Sequence, residues 1–264
     1  MAPTFGLFIV GDEILSGKRL DKHLAKIIEL LAARGLGLRW AHYLPDDRAD
    51  ITAALQRSFA GGDIVFSTGG IGATPDDHTR QAAAQALGVG LELHPTAERL
   101  IRERIAEMNQ GPLDAAENRQ RMRMGEFPAG SAIIANPYNK IPGFSIRNHY
   151  FVPGFPVMAW PMLEAVLDEQ FSEHFHHAPS AERSMLVFGS AESTLTPLME
   201  QIEARFPGVK VFSLPSVGDE SGGGQRARRH IELGVKGRAE EIATAYAALK
   251  AGVVALHAEF DEDA

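Results

Sequence analysis

Apolar runs and amphipathic stretches alternate through the first third of the chain. Phe5-Gly6-Leu7-Phe8-Ile9-Val10 reads as a first strand. Leu24, Ile27, Ile28 and Leu31 then fall at i, i+3, i+4 and i+7, which predicts one apolar helix face. Asp21 is placed to cap that helix and Gly35 to stop it. Leu36 to Leu44 reads as a second strand, followed by Pro45-Asp46-Asp47. Ile51, Leu55 and Phe59 space a second helix, ended by Gly61-Gly62. Asp63-Ile64-Val65-Phe66-Ser67 is short and partly β-branched, as a buried parallel strand is. Arg80 to Leu87 is Ala-rich and suits a third helix. Strand and helix alternating three times predict a parallel sheet covered on both faces.

Pro95 to Met124 continues as helix, packed through Leu100, Ile101, Ile105 and Met108 and interrupted at Gly111-Pro112. Ile133-Ile134-Ala135 and Phe144-Ser145-Ile146 flank a turn-rich segment, which predicts a β-hairpin. His149 to Val152 is a further strand, closed by the rigid turn Pro153-Gly154-Phe155-Pro156. Met162, Leu163, Val166 and Leu167 mark the helix expected to close a first domain, residues 1–178. Ala178-Pro179-Ser180 reads as a linker. Beyond it, strand Met185 to Phe188, a helix through Leu195, Leu198, Met199, Ile202 and Phe206, strands Val209 to Leu214 and Arg228 to Val235, and a helix through Ile242, Tyr246 and Leu249 make a small βαββα domain, residues 179–264. The acidic tail Glu259-Phe260-Asp261-Glu262-Asp263 is expected to be solvated and unstructured.

Composition narrows the class. Hydrophobic residues make up 45% of the 264 positions and charged residues 23%, as in globular domains. A net charge of -8 argues against general nucleic-acid binding, which needs a basic face. The absence of cysteine removes disulfides, thiolate metal sites and cysteine nucleophiles. No secretory leader and no membrane span is read, so a cytoplasmic protein without a membrane partner is expected.

The candidate chemistry centres on Thr68-Gly69-Gly70-Ile71-Gly72-Ala73-Thr74-Pro75-Asp76-Asp77-His78-Thr79. A strand feeds this glycine-rich turn and a helix leaves it. Gly69, Gly70 and Gly72 let a ligand approach the main chain. Asp76 or Asp77 is expected to cap the helix, while remaining amides there suit an anion such as phosphate. The two carboxylates suit a hard divalent cation instead. A plain tight turn is the competing reading. Asp12 with Glu13, Asp46 with Asp47, and Asp76 with Asp77 all follow strands, where open α/β sheets bind ligands. Arg119, Arg121 and Arg123 read as a solvated helix face, with a phosphate contact as the alternative. Glu173-His174-Phe175-His176-His177 reads as a polar helix end rather than a metal site. Gly222-Gly223-Gly224-Gln225-Arg226-Ala227-Arg228-Arg229 lacks a P-loop ending and reads as a flexible hairpin tip.

Four motifs taken together resemble the molybdopterin-binding (MoaB/Mog-type) domain, in the branch of the amino-terminal part of CinA-type competence/damage-inducible proteins. They are Gly11-Asp12-Glu13-Ile14-Leu15 with Gly17 and Asp21; Thr68-Gly69-Gly70-x-Gly72-x-Thr74-x-Asp76-Asp77-x-Thr79; Pro142-Gly143-Phe144; and Pro153-Gly154-Phe155-Pro156. They cover about the first 170 residues, and residues 179–264 are similar to the small middle domain of that branch. The amidohydrolase domain that ends full-length relatives is not expected here, so nucleotide deamidation is not assigned. Two positions depart from the pattern: Asp21-Lys22-His23 stands for Asp-x-Asn, and Val157-Met158 stands where an acid is usual.

The resemblance implies a three-layer αβα fold with a doubly wound, mostly parallel sheet, a small α+β second domain, and homo-oligomers (dimer or trimer). It implies a nucleotide or pterin as small-molecule partner, and a divalent cation (Mg, Mn or Co) or molybdopterin as bound group. Carried over by position, Gly69, Gly70 and Gly72 line the phosphate, Gly11, Asp12 and Glu13 face the nucleotide, and Thr68 opens the turn. Thr74 and Thr79 offer hydroxyls, and Pro142, Gly143 and Gly154 border the pocket. Asp77, with Asp76, is the expected catalytic acid, and Asp77, Asp76 and Asp12 are the expected metal ligands. The expected activity is metal-dependent hydrolysis of ADP-ribose-like dinucleotide pyrophosphates. Binding without turnover and molybdopterin adenylylation are the alternatives.

Overall fold

The computed structural model describes residues 3–176, 180–218 and 224–262. Its chain divides into two compact units, Met1–His176 and His177–Ala264. The Ala178-Pro179 part of the expected linker and Gly222-Gly223 lie outside the described residues.

The first unit runs β1 (Phe5–Val10), α1 (Asp12–Leu15), α2 (His23–Ala32), β2 (Leu38–Leu44), α3 (Arg48–Phe59), β3 (Ile64–Thr68) and α4 (Thr79–Leu87). It continues through β4 (Leu91–Leu93), α5 (Pro95–Glu107), α6 (Ala116–Met122), β5 (Glu126–Pro128), β6 (Ala132–Ile134), β7 (Gly143–Ile146), β8 (His149–Val152) and α7 (Pro156–Gln170). Six strands form one sheet in the order β2-β1-β3-β8-β7-β6, and β4 pairs with β5 separately. The first four are mutually parallel; β7 and β6 continue antiparallel, as the expected hairpin.

Parallel strands with helices on both faces must bury both sides, and every residue of β1 is buried. Phe5, Leu7 and Ile9 enter a core with α2 and α7, while Phe8 and Val10 enter one with α3 and α4. The amphipathic faces are read nearly in register. In α2, Ile27, Leu30 and Leu31 are buried, and Ile28 is 47% exposed, because the core stripe lies one position further round. Likewise Ile101 and Ile105 of α5 are buried, whereas Met108 at its end is exposed.

At the far end of the sheet from the strand-end loops, His149 begins β8 buried, its Nε2 2.7 Å from Ser58 Oγ. The Ser58 hydroxyl donates to the Leu55 carbonyl, so the imidazole is the donor to Ser58 and Nδ1 is left bare, without a partner among the described residues. Burial, then the Arg147 charge, pulls its pKa down to about 4. A histidine kept neutral by folding stabilises the fold fully above its unfolded pKa near 6.5, and that contribution is lost as pH falls toward 4. At about 1.4 kcal/mol per unit, the loss reaches about 3 kcal/mol. Urea midpoints of the wild type should therefore fall between pH 7 and pH 4 more steeply than those of His149→Gln. Equal slopes would refute the assignment.

The second unit contains β9 (Ser180–Phe188), α8 (Glu192–Arg205), β10 (Val209–Ser216), β11 (His230–Arg238), α9 (Ala239–Ala255) and β12 (Glu259–Asp261). Its antiparallel sheet has the order β10-β11-β9-β12, with both helices packed through Leu195, Ile202, Ile242, Tyr246 and Leu249. The tail expected to be unstructured instead supplies the edge strand β12, paired to β9. The cause is local: Phe260 packs on the core, Glu259 pairs with Arg228, and Glu262 accepts from Tyr246 and Lys250. No helix among the described residues is long and apolar enough to cross a membrane.

Candidate functional site

The register of the parallel strands sets the site. Val10 pairs with Leu44, Ile9 with Thr68, and Thr68 with Val152, so β1, β2, β3 and β8 all end on one rim. The glycine turn after β3 and the Pro153-Gly154-Phe155 turn after β8 meet there, with the start of α1. They enclose a cleft of about 360 Å³.

Glycine is required at the turn by contact as much as by angle. Gly69 has φ 99°, and a Cβ on it would lie 2.2 Å from the Val10 carbonyl oxygen. Gly70 has φ 67°, and a Cβ there would strike the Thr79 hydroxyl at 2.2 Å. Gly154 stands directly against Gly69, 3.3 Å from its Cα at the position a Cβ would take.

The hydrogen bonds of the turn are one-sided. Its carbonyls are tied back to protein: Gly69 accepts from the Thr79 hydroxyl at 3.1 Å, Gly70 from the Thr79 amide, Gly72 from Arg80, Ala73 from Gln120, and Thr74 from the Asp77 amide. Among the described residues, the amides of Gly70, Ile71 and Ala73 have no protein acceptor, and all three residues line the cleft. Carbonyls turned inward and amides left over make an anion-binding arrangement.

Asp77 does not cap α4, whose N-cap is His78 with no side-chain cap, and neither does Asp76. Instead the Asp77 carboxylate closes the turn on itself. Oδ1 accepts from the Gly72 amide at 2.8 Å, and Oδ2 from the Thr74 amide at 2.8 Å and the Thr74 hydroxyl at 2.5 Å. Beneath the turn lies Arg80, 3% exposed, donating to the carbonyls of Gly72, Arg123 and Glu126, with Nε unpartnered among the described residues. Burial lowers its pKa, and the nearby carboxylates of Asp77 and Glu126 oppose that. Nothing in the Ala-rich pattern around Arg80 signals this role.

The strand ends hold one another through their acids. The Asp12 amide donates to Asp46 Oδ2 at 2.9 Å, and the Asp46 amide to Asp12 Oδ1 at 3.3 Å. Burial first, then the charges of Asp12, Glu13 and Asp76, raise the Asp46 pKa, against the Asp12 amide that lowers it. The Thr74 hydroxyl and its own amide hold the exposed Asp76 carboxyl below the usual carboxylate range.

Of the residues expected at the site, Gly11, Glu13, Thr68, Gly69, Gly70, Gly72, Thr74, Asp76, Asp77 and Gly154 do line one cleft. Thr79 is fully buried and anchors the turn from behind, so its hydroxyl is not offered to the cleft. Pro142 and Gly143 belong to the hairpin and are not part of the cleft wall; a Cβ on Gly143 would meet the Phe151 carbonyl at 2.3 Å, a packing requirement. Asp12 is absent from the cleft wall, its carboxylate accepting from the Asp46 amide. Asp77, Asp76 and Asp12 are thus not assembled as a ligand set, and no group of three or more His, Cys, Asp or Glu among the described residues could hold a metal ion. The expected cap Asp21 does bind the first amides of α2, His23 at 2.8 Å and Leu24 at 3.1 Å.

Three cleft residues carry no simple signal. His23, 5% exposed, sets its Nε2 3.0 Å from the Gly154 carbonyl, which makes that nitrogen the donor and holds the proline turn against α2. The only sequence clue is its place where the related pattern has asparagine. Phe155 is 56% exposed at the cleft, and Arg19 also lines it.

Comparison with known proteins agrees with this architecture. Residues 6–174 match the family model described as "Probable molybdopterin binding domain". A CinA-like protein of Citrifermentans bemidjiense is 35% identical over 195 residues, which are 72% of this chain and 46% of that relative. A CinA-like protein of Syntrophotalea carbinolica is 32% identical over 237 residues, 84% of this chain and 56% of the relative. The chain therefore spans about half the length of these relatives. Among solved structures, the protein CinA of unknown function from Thermoplasma acidophilum superposes with a TM-score of 0.54 at 27% identity, covering 66% of this chain and 99% of that one.

Proposed function

The chain belongs to the molybdopterin-binding domain family, and from that premise we propose that its cleft binds a nucleotide through phosphate and hydrolyses a dinucleotide pyrophosphate such as ADP-ribose. The supporting observation is the set of free amides at Gly70, Ile71 and Ala73, in a turn whose Gly69, Gly70, Gly72, Ala73 and Thr74 carbonyls all accept from protein donors. A phosphate oxygen there gains charge-assisted hydrogen bonds without disturbing the loop. Phe155, more than half exposed at the cleft, offers a face for the planar base or pterin ring.

The role of the acids follows from their partners. Asp77 is a positioning carboxylate, because both of its oxygens hold the turn. Of the other carboxylates that line the cleft, Asp46 is held by the Asp12 amide, which leaves Asp76 and Glu13 for the ligand. A small hard cation such as magnesium is commonly bound by one or two carboxylates together with substrate phosphates, so this pair suits one carried in with the ligand. Such an ion would offset the charge of the pyrophosphate. In this reading Asp76 accepts a proton from the water that attacks one phosphorus, while the bridging P–O bond breaks and the other phosphate monoester leaves.

The test is AMP release from ADP-ribose or FAD with magnesium, manganese or cobalt, against a chelator control. Metal-dependent AMP release that Asp76→Asn lowers at least tenfold is expected. Binding of these ligands without product under any of the metals would sink the hydrolase part and leave a binding domain.

A further inference from the structure

The rim of the cleft is acidic, with Glu13, Asp46, Asp76 and Asp77 in its wall, yet the ligand proposed for it is an anion. Besides the amides and a cation carried in with the ligand, a basic side chain in the wall would answer that charge. Arg119, Arg121 and Arg123 do not supply it. None lines the cleft, and their guanidinium groups bond the Asp114 carbonyl, Asn118 Oδ1 at 2.6 Å and Gln120 Oε1 at 3.4 Å respectively. Arg80 is buried under the turn.

Arg19 is different. It is the one arginine or lysine in the cleft wall, its side chain is exposed, and its guanidinium makes no hydrogen bond or ion pair among the described residues. It stays unpaired although carboxylates share the cleft. Its place on the rim is fixed through the backbone: its amide donates to the Glu13 carbonyl at 2.9 Å, and Gly17, at φ 72°, turns the chain after α1. A planar fork of donors, held at the mouth of a site and left without a partner, suits a phosphate group.

We propose that Arg19, on the loop between α1 and α2, is the residue by which the cleft selects phosphorylated ligands, contacting a ligand phosphate that the glycine-turn amides also bind. This rests on the nucleotide-binding reading above. It extends that reading to a specificity determinant and to ligand class: adenosine diphosphate or a pyrophosphate-linked nucleotide over the neutral nucleoside.

Calorimetric titration of the full chain with ADP, AMP and adenosine, for wild type, Arg19→Ala and Arg19→Lys, tests it. ADP affinity should fall 10- to 100-fold in Arg19→Ala and less in Arg19→Lys, adenosine affinity should not move, and the salt dependence of ADP binding should flatten in Arg19→Ala. Wild-type binding of ADP with unchanged affinity in Arg19→Ala overturns the role of Arg19 and leaves the site standing. Equal loss for ADP and adenosine overturns phosphate selection in favour of a structural effect. Failure of the wild type to bind any nucleotide overturns the site reading itself, and this proposal with it.

Discussion

Gly69→Ala is expected to destabilise the first unit by at least about 3 kcal/mol and to abolish nucleotide binding. Two penalties add at this position. A φ of 99° is strained for any side chain, and the new Cβ would sit 2.2 Å from the Val10 carbonyl oxygen. That oxygen belongs to the central strand β1 and cannot swing away as the end of a side chain could. The strand would have to part from its neighbour at the very place where the rim is built. Gly130→Ala provides the control, since Gly130 has φ 85° with nothing within 4 Å of the added Cβ. Strain alone should cost that variant about 1 kcal/mol. Denaturant midpoints of the two variants measure the difference, and equal losses would show that the contact with β1 is not what demands glycine.

Asp77→Asn is the second large effect, and it separates two roles for this acid. One carboxylate answers three donors, on Gly72 and Thr74. A carboxamide has one acceptor oxygen and would turn an NH₂ toward another donor. Losing one charge-assisted bond and leaving a donor facing a donor costs about 2 kcal/mol. The turn would reopen, its free amides would lose their common orientation, and nucleotide affinity should fall 10- to 100-fold while the protein still folds. A residue acting only in the chemical step would lose turnover and keep affinity. Measured binding by Asp77→Asn therefore decides the matter: unchanged affinity would contradict the positioning role.

Much of the fold was legible because parallel strands impose strong patterns. Short apolar runs, each followed by a helical period, specified β1, β2 and β3 and the covered sheet. The rim of acids followed, since the ends of parallel strands must lie together. What the pattern could not carry was which partner each polar group takes. Asp77 stood out in the sequence as a candidate acid, but its bonds to Gly72 and Thr74 depend on the closed path of the turn. Arg80 sits beside a run of alanines and gains its meaning from the Gly72 carbonyl and from carbonyls at Arg123 and Glu126, far along the chain. The β4–β5 pair was missed because each strand has three residues, separated by two helices. The tail was misread because its charges look solvated until Arg228, Tyr246 and Lys250 are seen to answer them. Arg19 lies on a short segment with no periodicity and His23 falls one place before the face read for α2, so only the meeting of three loops makes them cleft residues.

The most direct measurement is the amide resonances of the glycine turn during titration with ADP-ribose. The Gly70, Ile71 and Ala73 amide protons should move downfield together, in step with binding, because they take a phosphate as acceptor. Gly72 and Thr74 should move less, because Asp77 already holds them. Saturable binding that leaves Gly70, Ile71 and Ala73 unmoved, with shifts elsewhere, would contradict the account.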